Sequence, residues 1–378
     1  MRFPDEVPTL TDGVVTLRAH QPADVPRIVE QCLDPESIRW TTVPTPYDEG
    51  EAQDWITNVV PAGWAGDTTY CFAIEHDGRF AGSVDLRMRS GGEAELGFGL
   101  HPGARGGGVM RRALDLLLDW GFGRGVEVVH WRAFVGNWSS RRTVWALGFS
   151  FGPTIPRLLP HRGERRDAWT GWLGSDDPRQ PLEPWLVPPV IEADGVRLRP
   201  WREEDGPRLV EAANDPVLRE WIPDTPLPRS LDAVPDYLTR VHLGGATNGR
   251  VAWCVADAET DLALGNVALF EFEDEGDDLT AQVGYWSHPA GRGRGVMAAA
   301  LQLVADWALR RTAEGGLGAR RLYLLTSVRN VGSRRLAERA GFEHVGTERA
   351  SAPIAGGGFE DNAIYDRLRE EGRSAHGE

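Results

Sequence analysis

Residues 101–110 read HPGARGGGVM and residues 288–297 read HPAGRGRGVM, with seven of ten positions identical. Each run sets glycines directly before an amphipathic pattern, VMRRALDLLLDW (109–120) or VMAAALQLVADW (296–307). A glycine-rich turn feeding a helix leaves backbone N–H groups unpaired at the positive end of the helix dipole. That combination binds phosphate. Glycine suits it because a side chain would hold the anion off the backbone, and because tight turns use positive φ. The candidate phosphate ligands are Arg105, Gly106, Gly107, Gly108, Val109 and Met110, and in the second copy Arg292, Gly293, Arg294, Gly295, Val296 and Met297. The three arginines add charge to the loop or else face solvent.

Several phosphate ligands are open at this point. A P-loop needs GxxxxGK[ST], and no lysine follows these glycines. A dinucleotide fingerprint could begin at Gly106 and Gly108, but Arg111 stands where its third glycine belongs. A plain turn is the other reading, and two copies in one context weigh against it.

The elements around the loops repeat as well. A strand-like segment precedes each, ELGFGL (95–100) or QVGYWS (282–287). GVVTLRAHQPADVPRIVEQCLDPESIRW (13–40) aligns with GVRLRPWREEDGPRLVEAANDPVLREW (195–221), and NWSSRRTVWALGF (137–149) with NVGSRRLAERAGF (330–342). In the first pair, Asp24 and Asp205 stand where they could cap the helix that follows. A period of roughly 180 to 190 residues makes these domain-sized copies rather than solenoid units. The expected domains are 1–173 and 191–369, joined by a proline-rich linker at 174–190 and followed by a polar tail at 370–378.

Composition narrows the function classes. The chain is 41% apolar and 26% charged, which fits a globular protein. It has no run of about 18 apolar residues, so no transmembrane helix is expected and no membrane partner. MRFPDEVPTL lacks a signal-peptide pattern, and Cys32, Cys71 and Cys254 form neither a disulfide framework nor a zinc pattern; a reduced cytoplasm is expected. A net charge of −15 argues against nucleic acid and suits a cationic substrate. Self-association is left open.

RGGGVM and RGRGVM resemble the acyl-CoA pyrophosphate loop, R-G-x-G followed by an apolar residue, of the GNAT superfamily of N-acetyltransferases. Further segments are similar to its RimJ/RimL-like branch. WTTVPTPYDEGEAQDWI (40–56) resembles that branch's proline-rich substrate loop, and EAELGFGLHP (93–102) and TAQVGYWSHP (280–289) resemble the strand before its pyrophosphate loop. Asn137, Ser140 and Gly148–Phe149, with Asn330, Ser333 and Gly341–Phe342, resemble its later strand–helix motif. RGERRDAWTGWL (162–173) and GGFEDNAIYDRL (357–368) resemble its closing strand. The likeness spans almost all of both halves. One departure is Gly103 and Ala290, where the superfamily pattern begins with Gln or Arg.

The resemblance implies a mixed α/β (α+β) fold: two tandem domains, each with a largely antiparallel sheet splayed at an acyl-CoA site. It implies acetyl-CoA or another acyl-CoA as co-substrate, no metal, and direct attack of a primary amine in a ternary complex. The acceptor would be a protein N-terminus or a small amine, cationic or not. Backbone N–H groups at Leu100 or Ser287 would hold the oxyanion, and Asn137 and Asn330 would contact pantetheine or fix the later helix. A glutamate on the strand is a plausible base in this family. That makes Glu95 the leading candidate and Glu93 the reserve, while the second half has Gln282 in that place. The helix tyrosine of many GNAT enzymes is replaced by Val144 and Ala337, which leaves Ser140, Ser333 or water to protonate the thiolate. His101 and His288 fit a turn role better than metal binding or base chemistry. Trp40, Trp221 and Trp286 line the acceptor site or fill cores. The alternatives are a half that has become a scaffold, and a non-catalytic sensor of acyl-CoA or an amine.

Overall fold

The computed structural model describes Phe3 and residues 6–274, 279–354 and 357–370. From residue 371 on, the expected polar tail lies outside them. Two compact units divide between Leu182 and Glu183.

The first unit runs β1 (Leu10–Thr11), β2 (Val15–Arg18), α1 (Val25–Leu33), α2 (Pro35–Trp40), α3 (Glu49–Asp54), α4 (Val60–Ala65), β3 (Thr69–His76), β4 (Arg79–Met88), β5 (Glu93–Leu100), α5 (Val109–Phe122), β6 (Val128–Phe134), α6 (Trp138–Ala146), β7 (Ser150–Phe151), β8 (Ile155–His161) and β9 (Glu164–Gly174). The second runs β10 (Ile191–Ala193), β11 (Val196–Arg199), α7 (Gly206–Ala213), α8 (Pro216–Trp221), α9 (Val234–Ala246), β12 (Arg250–Asp257), β13 (Ala263–Asp274), β14 (Leu279–Ser287), α10 (Val296–Leu309), β15 (Arg321–Ser327), α11 (Val331–Arg339), β16 (Glu343–Pro353) and β17 (Phe359–Leu368). The sheets are ordered β1-β2-β3-β4-β5-β6-β9-β7, with β8 on β9, and β10-β11-β12-β13-β14-β15-β17-β16. Two mixed α/β domains of one plan are therefore present, as the repeat implies.

Each sheet is antiparallel except at one place. β5 and β6 pair in parallel over Glu93, Ala94 and Glu95 only, opposite Val128, Val129 and His130. β14 and β15 do the same over Thr280, Ala281 and Gln282. Beyond those pairs the strands part, β5 running on to Leu100 and β6 to Phe134. This is the expected splay.

Helices α5 and α10 cover one face of their sheets because their apolar residues recur at helical spacing. Val109, Ala113, Leu114, Leu117, Leu118 and Gly121 are buried on α5, and Val296, Ala300, Leu301, Val304 and Ala308 on α10. Gly121 lets α5 come close to the sheet, since a Cβ there would lie 2.7 Å from Leu86 Cδ1. The opposite face of the first sheet carries α1, α3 and the loop before α3, with Ile28, Tyr47, Ala52, Ile56, Ala73 and Phe80 in one apolar cluster.

Asp24 and Asp205 do not cap α1 and α7 as expected. Their carboxylates turn back onto the preceding strand and take bidentate bonds at 2.8–2.9 Å from Arg18 and 2.8 Å from Arg199. Each also accepts an N–H at 2.9 Å, from Gln21 or Arg202. An arginine three-dimensionally adjacent outcompetes an orphan helix N–H for a carboxylate. Each end of the segment between the domains packs within its own unit: Arg111 reaches the Arg179 carbonyl at 3.2 Å in the first, and Trp253 Nε1 donates to the Pro189 carbonyl at 2.9 Å in the second.

Candidate active site

The glycine loops enter α5 and α10 through left-handed N-caps, Gly108 (φ 74°) and Gly295 (φ 78°). Gly106 (φ 87°) and Gly293 (φ 72°) share that region, and no atom lies within 4 Å of where a Cβ would stand at any of the four. A side chain there would strain the backbone and project into the open concavity. The amides of Gly106, Gly107, Gly108, Val109 and Met110, and of Gly293, Arg294, Gly295, Val296 and Met297, make no hydrogen bond among the described residues. Each loop thus offers converging free N–H groups at the start of a 14-residue helix.

The loop arginines are already engaged. Arg105 lies 2.6 Å from Asp34 and 3.4 Å from the Leu100 carbonyl. Arg292 likewise binds Asp215 and, at 3.3 Å, the Ser287 carbonyl. Asp34 and Asp215 are the N-caps of α2 and α8. These arginines therefore fasten the loop to the neighbouring helix, a partner that sequence spacing does not reveal. Arg294 pairs with Asp257 at 2.8 Å and has half its side chain exposed.

Ladder geometry settles which strand amides face the splay. Arg89 N–H donates to the Glu93 carbonyl and His101 N–H to the Ala81 carbonyl, both at 2.8 Å. Antiparallel pairing alternates, so odd-numbered residues of β5 bond to β4, and Leu96, Phe98 and Leu100 turn their N–H and C=O toward the gap. In the second unit His288 N–H donates to the Leu264 carbonyl, and the same alternation points Val283, Tyr285 and Ser287 into the gap. Leu100 and Ser287 thus stand beside the openings, joined by Leu96, Phe98, Val283 and Tyr285, which the motif reading omitted.

Asn137 and Asn330 cap α6 and α11, accepting from Ser140 N–H at 3.2 Å and Ser333 N–H at 3.0 Å. Ser140 Oγ accepts from Trp131 Nε1 at 3.0 Å. Ser333 Oγ meets the Tyr285 hydroxyl at 2.8 Å, bringing a phenol from the strand to the helix. Burial pushes Tyr285 up to about 12, with the Ser333 bond acting against it. Phe98 holds the Tyr285 position in the first unit. Val144 and Ala337 are fully buried core residues.

His101 and His288 are buried turn residues. Each Nδ1 accepts an N–H two residues on, from Gly103 or Ala290, at 3.1 Å. That leaves Nε2–H to donate to Glu30 or Glu211, both at 2.9 Å. Burial, together with Arg208, lowers the proton affinity of His288. Trp40 donates to Glu36 at 2.8 Å and lies 3.0 Å from the Cβ site of Gly136, beside the β6–α6 turn. Trp286 stacks on Trp201 with centroids 5.8 Å apart, and Trp221 is half-buried at the end of α8.

Glu95 sits at the last parallel pair, on the face opposite α5. Arg132 on β6 reaches it at 2.5 and 3.2 Å, and Arg89 also pairs with it. Burial opposes its charge, but the two guanidiniums outweigh that and hold its carboxyl below the usual range. A carboxylate so placed staples β5 to β6 and is a weak proton acceptor, so the geometry argues against the leading expectation. Glu93, the reserve, pairs with His130 at 3.2 Å.

A residue that motif reading missed lies beside it. Asp85 faces Gly97 across the β4–β5 ladder, and its Oδ2 lies 2.3 Å from where a Gly97 Cβ would stand. Its Oδ1 is 2.9 Å from Arg87 Nε yet has no hydrogen-bond partner among the described residues. In the second unit the register puts Ala268 opposite Gly284, and Phe270 covers that glycine, 2.8 Å from its Cβ site.

A polar cavity of about 670 Å³ in the second unit is lined by Asp306, Arg310, Arg311, Glu314 and Arg367, at the end of α10 remote from its glycine loop. A 14-residue helix separates the two by about 20 Å. No group of three or more metal-ligating side chains occurs among the described residues. No described helix is long and apolar enough to cross a membrane.

The acetyltransferase (GNAT) domain family matches residues 15–150 and again 196–343. The Probable N-acetyltransferase YjcK of Bacillus subtilis (strain 168) is 35% identical over 114 residues, spanning 30% of this chain and 59% of that relative. Among solved structures, a ribosomal-protein-S5-alanine acetyltransferase from Vibrio fischeri shares 18% identity at a TM-score of 0.41, covering 48% of this chain and 98% of its own. Mycobacterium smegmatis RimJ in complex with CoA-disulfide shares 18% at 0.40, covering 46% and 82%. The chain belongs to the GNAT acetyltransferase family, whose domain it contains twice.

Proposed function

We propose that the protein is an acyl-CoA-dependent N-acyltransferase that moves an acetyl group from acetyl-CoA to a primary amine by direct attack in a ternary complex. The observation that carries this reading is the pair of free-amide loops, each opening a long helix beside a parted sheet. Gly106 to Met110 and Gly293 to Met297 would hold the pyrophosphate through their backbone N–H groups. The splay would take the pantetheine arm, and the inward N–H groups near Leu100 and Ser287 would stabilise the tetrahedral oxyanion. A thiolate with a pKa of about 8.5 leaves, and Ser140, Ser333 or water can return a proton to it.

A net charge of −15 favours a cationic acceptor, such as a small amine or a protein N-terminus. Three unpaired cysteines fit a reducing cytoplasm. Isothermal titration with acetyl-CoA tests the reading. Saturable heat and a higher Tm are expected, worth about 2.7 kcal/mol at one hundred times the Kd. Absence of both would refute it. Mass spectrometry of an amine panel incubated with acetyl-CoA would then identify the acceptor.

A further inference from the structure

We infer that Asp85, rather than Glu95, takes the proton from the acceptor amine, and that transfer is therefore confined to the first unit. This rests on the acyltransferase reading above. Three observations carry it. First, Asp85 shares the α1 side of the sheet with Gly97 and Gly99, so no side chain rises from β5 between its carboxylate and the gap. Gly97 is two residues beyond the last parallel pair, where the strands have begun to part. Second, Asp85 is only 15% exposed and is met by a single guanidinium, Arg87, whose Nε lies 2.9 Å from Oδ1 without making a hydrogen bond to it, so that oxygen accepts no hydrogen bond among the described residues. Third, the second unit has no counterpart, because Ala268 replaces the carboxylate and Phe270 fills the space over Gly284.

The environments of the two carboxylates diverge. Burial pushes the proton affinity of Asp85 up against the pull of Arg87, and the charge of Glu95 acts in the same direction. Glu95 is displaced the other way by Arg132 and Arg89, despite its burial. Acid and base roles follow where neighbouring groups are driven apart like this. The groups that face Asp85 are Arg87 on its own strand, Cys71 on β3, and Glu95 on β5.

The step balances as follows. Asp85 removes one proton from the ammonium, and the freed lone pair attacks the thioester carbonyl. As the tetrahedral intermediate collapses, the C–S bond breaks and the second nitrogen proton goes to the departing thiolate. Amide and thiol are formed, and Asp85 returns its proton to water.

Steady-state acetylation of the amine panel by Asp85→Asn, Asp85→Glu, Glu95→Gln and Arg87→Met tests the assignment, with calorimetry on each. Asp85→Asn is expected to lower kcat by about 10²- to 10⁴-fold while acetyl-CoA affinity stays within about twofold. Asp85→Glu recovers at least part of that loss. Glu95→Gln lowers Tm more than it lowers kcat. Arg87 is exposed, so Arg87→Met leaves the fold intact even if the aspartate variants do not fold. Removing its charge moves the acid limb of kcat/KM to higher pH. Turnover within threefold of the unmodified protein in Asp85→Asn, or an unmoved limb in Arg87→Met, overturns the assignment alone. Acetyl-CoA binding without turnover in the unmodified protein overturns the acyltransferase reading, and this inference with it.

Discussion

Gly97 and Gly284 hold the same place in the two units, two residues beyond the pair where the sheet starts to part. Over Gly97 lie a carboxylate and a guanidinium, Asp85 and Arg87. Over Gly284 lies the ring of Phe270. Nearby, the first unit staples its strands with Glu95 and Arg132, whereas the second has Gln282 and Leu325 at those positions. The second unit instead joins strand to helix through Tyr285 and Ser333. The glycine loops, by contrast, match in φ, free amides and arginine tethers. A duplicated domain can thus keep the surface that binds a common ligand while the surface that would do chemistry drifts.

The comparison breaks most sharply at the loops. Gly106→Glu and Gly293→Glu each force a side chain onto positive φ and set a carboxylate against the pyrophosphate. Each is expected to weaken acetyl-CoA binding at its own loop by more than about 100-fold, with the equivalents bound per chain, read by calorimetry, falling by one. Two equivalents remaining in either variant would separate the loops from the ligand.

The paired glycines give the next effect. Gly97→Ala would drive a methyl group into Asp85 and Arg87, and turnover should fall by about 10- to 100-fold with binding retained. Gly284→Ala would press on Phe270 and cost about 1–3 kcal/mol of stability, measured by chemical denaturation, without slowing turnover.

The strand staple predicts a smaller, pH-dependent difference. Arg132→Met leaves Glu95 with Arg89 alone and should cost about 1–3 kcal/mol at neutral pH. Glu95 has a lowered folded-state pKa, so its contribution is present above its ordinary value of about 4.5 and fades as pH falls through the folded value. The gap between Arg132→Met and the unmodified protein should therefore narrow in acid. A gap independent of pH would mean that packing, not charge, holds the staple.

The duplication and the glycine loops were legible because they depend on local patterns, glycines before a helix and motifs in order, while the parted sheet was implied only by the family resemblance that those motifs carry. Asp85 was not legible. RFAGSVDLRM reads as an ordinary alternating strand, and only the β4–β5 register sets its carboxylate over Gly97. Glycines at 97 and 99 in β5 were a usable hint of a bare floor, as was the second copy, where VDLR becomes VALF. The pairing of Glu95 was hidden for the same reason, since Arg132 is 37 residues away and meets it only through the parallel pair. Asp34 and Asp215 likewise claim the loop arginines from a distance.

The central claim, two binding loops and one reacting unit, has a direct test. The protein is saturated with acetyl-CoA, freed of unbound ligand, mixed with an accepted amine and quenched through the first turnover. Two equivalents bound and one acetyl group transferred per chain in the fast phase is the predicted result. Two groups transferred per chain at a single rate would contradict it.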